Sequence, residues 1–186
     1  RAARAGQFLV EAIVAGSVLI IGFMGVLGLL SQSFRMNRIA TDNYRGIYLA
    51  AEGIEIVKNM IDSNTIQNIA NCTGVPIPCA AGIAWDYLPG FITDNQSYVA
   101  DYSSVSLAVG AGQFLRFDPA TNLYGYGSGA QTNFRRTIRI RHIPPPPPST
   151  SSTYEILVRS TVTWSTGIFQ SRVELDDTFY DWYPIQ

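Results

Sequence analysis

The chain has 186 residues, enough for one compact domain with its own core plus a separate long segment. Its 13 Lys and Arg nearly balance 14 Asp and Glu, so bulk charge gives no reason to expect nucleic acid or an anionic surface as the main partner. A lone histidine, His142, two cysteines, scattered acids and no phosphate-cradling glycine loop leave no catalytic constellation, metal set or cofactor site to propose.

Residues 8–30, FLVEAIVAGSVLIIGFMGVLGLL, form an apolar run of bilayer-spanning length whose only charge is Glu11. A cleaved secretory signal has a shorter apolar stretch and a small-residue cut site, whereas here a helical pattern continues past Leu30, so the anchor is expected to be retained. Within the run, Gly16, Gly22, Gly25 and Gly28 each lower helix propensity by about 1 kcal/mol relative to alanine and permit close helix approach. A carboxylate at Glu11 is costly to leave unpaired in such a setting, by roughly 2–3 kcal/mol, so it needs either a partner or a place at the membrane edge.

Beyond the run, Met36, Ala40, Tyr44, Ile47, Ala51, Ile54, Val57 and Ile61 recur at three- and four-residue steps, with charged residues largely on other faces. One helix is therefore expected from about residue 8 to about residue 62, roughly 80 Å long at ~1.5 Å per residue. Its amphipathic half, 31–62, should pack on a head and its apolar half, 7–30, should not.

Residues 63–112 are rich in Gly, Pro, Asn, Asp and Ser and read as mostly irregular. A short helical turn is expected near Thr65–Ala70, with extended stretches near Ser97–Tyr102 and Ser104–Val109. Cys72 and Cys79 bracket CTGVPIPC, whose Gly74, Pro76 and Pro78 favour a closed turn and a small disulfide loop. Such a bond adds roughly 2–3 kcal/mol and persists outside the reducing cytosol, which points to export. Asn-x-Ser/Thr triplets stand at Asn71 and Asn95, a pattern common by chance.

From residue 113 to 186 the period becomes two and an antiparallel sheet is expected. In 133–143, Phe134, Arg136, Ile138 and Ile140 share one face and Arg135, Thr137, Arg139 and Arg141 the other. Residues 154–164 and 168–176 supply two further strands, joined by a turn at Ser165-Thr166-Gly167, and the proline run from Pro144 to Pro148 with its Ser/Thr neighbours reads as a stiff exposed loop. The arginine face could hold DNA phosphates or be a solvated surface with cross-strand partners such as Glu155 or Glu174. Helix on meander defines an α+β head.

The stretch Ala5-Gly6-Gln7-Phe8-Leu9-Val10-Glu11 before the apolar run resembles the processing site of bacterial type IV pilins and type II secretion pseudopilins. LAAEGIEIVKNMID at 49–62, NFRRTIRI, STVTW and FYDWY are similar to the helix end and C-terminal sheet of that family, and 63–112 carries the least likeness. The resemblance implies the type IV pilin fold, a leader-like segment at 1–6, cleavage after Gly6 by a prepilin peptidase, and methylation of Gln7. Gln7 departs from the family's usual phenylalanine or methionine. It further implies that Glu11 pairs with the positive N-terminus of a neighbouring subunit, and that the helix unwinds locally within 20–29, around Gly22, Gly25 and Gly28. The implied function is a structural subunit of a helical homopolymer, built by pilus assembly machinery from the inner membrane into an extracellular filament for adhesion, motility or surface contact. Two alternatives stand beside it: a secretion pseudopilin, with Asp176 and Asp177 as candidate calcium ligands, and a non-polymerising single-pass membrane protein with a ligand-binding head.

Overall fold

The structure is a computed structural model that describes residues 2–72, 85–147, 155–167 and 169–180. Helix α1, Ala2–Cys72, runs through two compact units, Arg1–Asp42 and Asn43–Gln186. The first unit is helix alone. All the large apolar side chains from Phe8 to Leu30 are 48% to 74% exposed, and α1 contains one stretch long and apolar enough to cross a membrane.

The helix ends ten residues beyond the expected 62, and the turn foreseen near Thr65–Ala70 is its last part. The polar run SNTIQ looks loop-like, but Ser63 Oγ donates to the Asn59 carbonyl one turn back at 2.7 Å, and Asn64 is 5% exposed with its amide donating to the carbonyls of Trp85 and Tyr87. Polar side chains bonded in these ways do not break a helix.

In the second unit α1 lies on one antiparallel sheet. Its strands are β1 Ser97–Val99, β2 Ala108–Val109, β3 Phe114–Asp118, β4 Leu123–Gly125, β5 Ala130–Ile143, β6 Glu155–Thr166 and β7 Phe169–Tyr180. Strands β5, β6 and β7 form the meander, paired from Arg135↔Thr163 to Ile143↔Glu155 and from Glu155↔Tyr180 to Thr166↔Phe169. The opposite edge of β5 is shared: β1, with β2 beyond it, pairs at Ile138 and Arg139, and β3, with β4 beyond it, pairs from Ala130 to Arg135. Because Thr166 pairs with Phe169, Ser165 and Thr166 stay in the ladder. Of the expected turn triplet only Gly167 leaves it, at φ +66°, a conformation glycine adopts without strain.

The alternation read from sequence sorts the strands correctly. Phe134, Arg136, Ile138 and Ile140 are buried, as are Ile156, Val158, Val162 and Trp164. The helix face is a correction. Tyr44 is 65% exposed, Met36, Ala40, Ile47 and Ala51 are exposed too, and only Ile54, Val57 and Ile61 of the expected stripe are covered. The face on the sheet instead runs through Gly46, Leu49, Ala50, Gly53, Ile56, Val57, Met60 and Ile61. Glycine lets the helix approach closely: a Cβ on Gly46 would come 2.5 Å from Trp164, and one on Gly53 would come 2.4 Å from Ser160 Oγ. Two buried clusters result, one around Val57, Met60, Tyr98, Ile138 and Ile156, the other around Leu49, Leu115, Phe134 and Trp164.

The foreseen extended stretches shrink to β1 and β2. Cys79, and with it the expected disulfide, lies outside the described residues, as does most of the proline loop, and of Gly6 and Gln7 only the helical backbone is described.

Candidate functional site

Among the described residues, four groups carry chemistry. On the first unit, Glu11 is exposed on an unbroken helix and forms no ion pair with another described residue. Gly22, Gly25 and Gly28 have nothing within 4 Å of where a Cβ would sit, and Gly22 opens a shallow apolar groove bordered by Val18, Leu19, Phe23 and Val26. The helix runs intact through 20–29, without the local unwinding expected around Gly22, Gly25 and Gly28.

The second group is a buried clamp that joins α1 to the sheet. Arg136, on the inward face of β5, is the largest fully buried side chain among the described residues. Its guanidinium donates to the Leu49 carbonyl on α1 at 3.0 Å and to the Ala100 carbonyl at 2.7 Å, and pairs with Glu52 at 3.2 Å. Glu52 keeps 32% exposure, so the pair is half wetted. Room for the guanidinium stem exists because position 53 is glycine, and Ser160 Oγ and Arg136 Nε are left without partners beside it. The Tyr126 phenol donates to the Arg136 carbonyl at 3.3 Å, and its burial pushes its pKa up. Sequence alternation puts Arg136 on the apolar face, the one signal that could have marked it as a clamp.

The third group lines the surface. On the outer face of the sheet, Arg135 stacks over Phe114 at 3.8 Å and donates to the Gly112 carbonyl, while Arg139 and Arg141 are exposed. Glu174, one of the two cross-strand acids expected for this face, serves other arginines: it pairs with Arg159 and Arg172, and Arg159 also pairs with Asp176. Hydrogen bonding and charge from Arg159 hold Asp176 below the usual carboxylate range, and Asp177 accepts from the Thr178 amide. Among the described residues no group of three or more His, Cys, Asp or Glu is placed to hold a metal ion. His142 meets Asp94 at 2.8 Å and the Phe91 ring edge-on.

Unforeseen from sequence is the turn 101–104. Asp101, 8% exposed, accepts from Ser103 N, Ser103 Oγ, Ser104 Oγ and Tyr126 N. Burial alone would raise its pKa, but these hydrogen bonds outweigh burial and hold it low. The turn forms one wall of a groove against α1, with Glu55, Asn59, Ser63 and Gln67 on the other.

No family model, curated protein or solved structure matches the chain.

Proposed function

We propose that this chain is a structural subunit of a type IV pilus-like filament. It is held in the inner membrane by residues 7–30 before assembly and packs those same residues against copies of itself in an extracellular fibre. The observation that supports this most is the apolar stretch Phe8–Leu30, uncovered throughout and bearing a single charge, Glu11, in one helix that continues into the second unit. A plain anchor needs the apolar stretch but gains nothing from an acid within it. In a polymer the acid finds the positive N-terminus of a neighbour and sets the axial register. The fold is then that of a pilin, Gly6 and Gln7 mark processing and methylation by a prepilin peptidase, and Gly22, Gly25 and Gly28 form the stretch that unwinds or packs closely in the fibre. Catalysis has no part in this reading, and the engagement of Asp176 by Arg159 favours a pilin over a calcium-dependent pseudopilin.

The test is Glu11→Ala and Glu11→Lys in cells that express the chain, with electron microscopy of sheared surface material and mass spectrometry of the N-terminal residue. Loss of filaments with the protein still in the membrane is expected. Normal filaments from both variants would refute the role of the acid, and wild-type cells with no filaments would leave the non-polymerising membrane protein as the answer.

A further inference from the structure

We infer that the groove between α1 and the turn 101–105 is a binding site for a linear, neutral oligosaccharide. It encloses about 500 Å³ within the second unit, inside the size range of small-molecule clefts. Its helix wall is a stripe at four-residue steps, Glu55, Asn59, Ser63 and Gln67, so the side chains stand in a row along α1. From residue 55 to residue 67 that row extends for ~18 Å at ~1.5 Å per residue, the shape for an extended chain rather than a single ring.

Three of the four, Glu55, Asn59 and Gln67, are planar acceptors and donors suited to hydroxyl pairs, and Ser63 donates its hydroxyl to the Asn59 carbonyl. The amides of Asn59 and Gln67 have no side-chain partner among the described residues, and Glu55 meets only Lys58, through Oε1 at 3.5 Å, with 56% of its side chain exposed. The opposite wall offers apolar contact: Tyr102 is 52% and Val105 86% exposed, and both line the groove. An aromatic side chain on one wall and planar polar side chains on the other match a sugar, whose C–H faces stack while its hydroxyls bond. The turn bearing Tyr102 is fixed by the Asp101 hydrogen bonds, so little ordering is required on binding.

Charge selects the class of glycan. Glu52, Glu55 and Asp101 line the groove and, among the described residues, no Lys, Arg or His does, which disfavours sulfated, sialylated or uronic acid chains. An extended peptide is disfavoured because none of the described strands lines the groove, and the apolar residues that line it from α1, Ile56 and Met60, are themselves buried. Binding does not require a filament.

Full chain in detergent micelles would be titrated calorimetrically with maltotriose, cellotriose, chitotriose and a linear galactotriose. A heparin tetrasaccharide and a neutral hexapeptide serve as competitors, and Tyr102→Ala and Asn59→Ala serve as variants. Both substituted side chains are exposed, and far-UV circular dichroism confirms that the fold is kept. Saturable binding of at least one trisaccharide is expected, weakened about tenfold or more in each variant, which is ~1.4 kcal/mol per lost contact. Binding of none, equal binding by both variants, or preference for heparin or peptide would overturn the assignment. A Glu11 variant without filaments should bind the sugar unchanged, so this inference and the filament reading fail separately.

Discussion

Gly46→Ala sets two physical effects against each other within one helix. Alanine is favoured over glycine in a helix interior by ~1 kcal/mol. At position 46, however, the new Cβ would stand 2.5 Å from Trp164 Cζ3 and 2.8 Å from Cη2, where carbon atoms at rest keep about 3.5–4.0 Å. The indole must therefore retreat by about 1 Å. Trp164 is 3% exposed and packs on Phe134 at 5.6 Å between ring centroids, so it has little free space to enter. Overpacking costs ~1–3 kcal/mol, and a Cβ this close to a buried ring belongs in the upper part of that range, about 2–3 kcal/mol, so a net loss of about 1–2 kcal/mol remains after the propensity gain. For a domain of this size Tm should fall by roughly 2–8 °C, followed by near-UV circular dichroism of the full chain in detergent. Gly25→Ala is the internal control: nothing lies within 4 Å, so the same substitution should leave Tm unchanged or raise it. Trp164→Leu combined with Gly46→Ala should relieve part of the loss, giving a coupling energy well above that of distant pairs. A Gly46→Ala chain as stable as the parent would refute the close approach of α1 to β6.

Arg136→Met, similar in volume, should lower stability by about 2–4 kcal/mol in urea unfolding, because it orphans the Ala100 carbonyl and strands Glu52, whose partial exposure limits the damage; an unchanged midpoint would mean the clamp carries no load. Acid should weaken the fold with a defined sign. Asp101, Asp94 and Asp176 all have folded values held below the ordinary one, so their contribution is complete above about pH 4 and is lost as pH falls through the folded values. Asp101→Asn should therefore be less stable at pH 7 yet decline less steeply below pH ~4, and a parallel acid limb would show that the Asp101 hydrogen bonds are not what acid breaks.

Sequence revealed the elements whose side chains alternate cleanly. Phe134 to Ile140 and Ile156 to Trp164 have one face buried and one wet, and a period of two is visible wherever that holds. The apolar stretch 8–30 was equally legible, since its length alone marks it. The contact face of α1 was not. Hydrophobic periodicity scores large side chains, while this face is organised around Gly46 and Gly53, whose contribution is the absence of a side chain. Tyr44 and Ile47 consequently looked like core and are surface. The turn at Asp101 was hidden for a different reason: Asp, Ser and Ser in a loop are unremarkable until Tyr126, 25 residues on, supplies the fourth donor. The groove draws Glu55, Asn59 and Gln67 from α1 and Tyr102 from the turn, and no local pattern links them.

The Arg136 clamp bears on which substitutions the chain can accept. Its hydrogen bonds on α1 and beyond β1 go to the main-chain carbonyls of Leu49 and Ala100, which every amino acid possesses. Positions 49 and 100 are thus free of any chemical demand from the arginine and answer only to packing. The demand falls on positions 53 and 160, where a small residue must leave volume for the stem. Evolutionary coupling to Arg136 would accordingly track size at those two positions, and would be nearly silent at the residues it bonds.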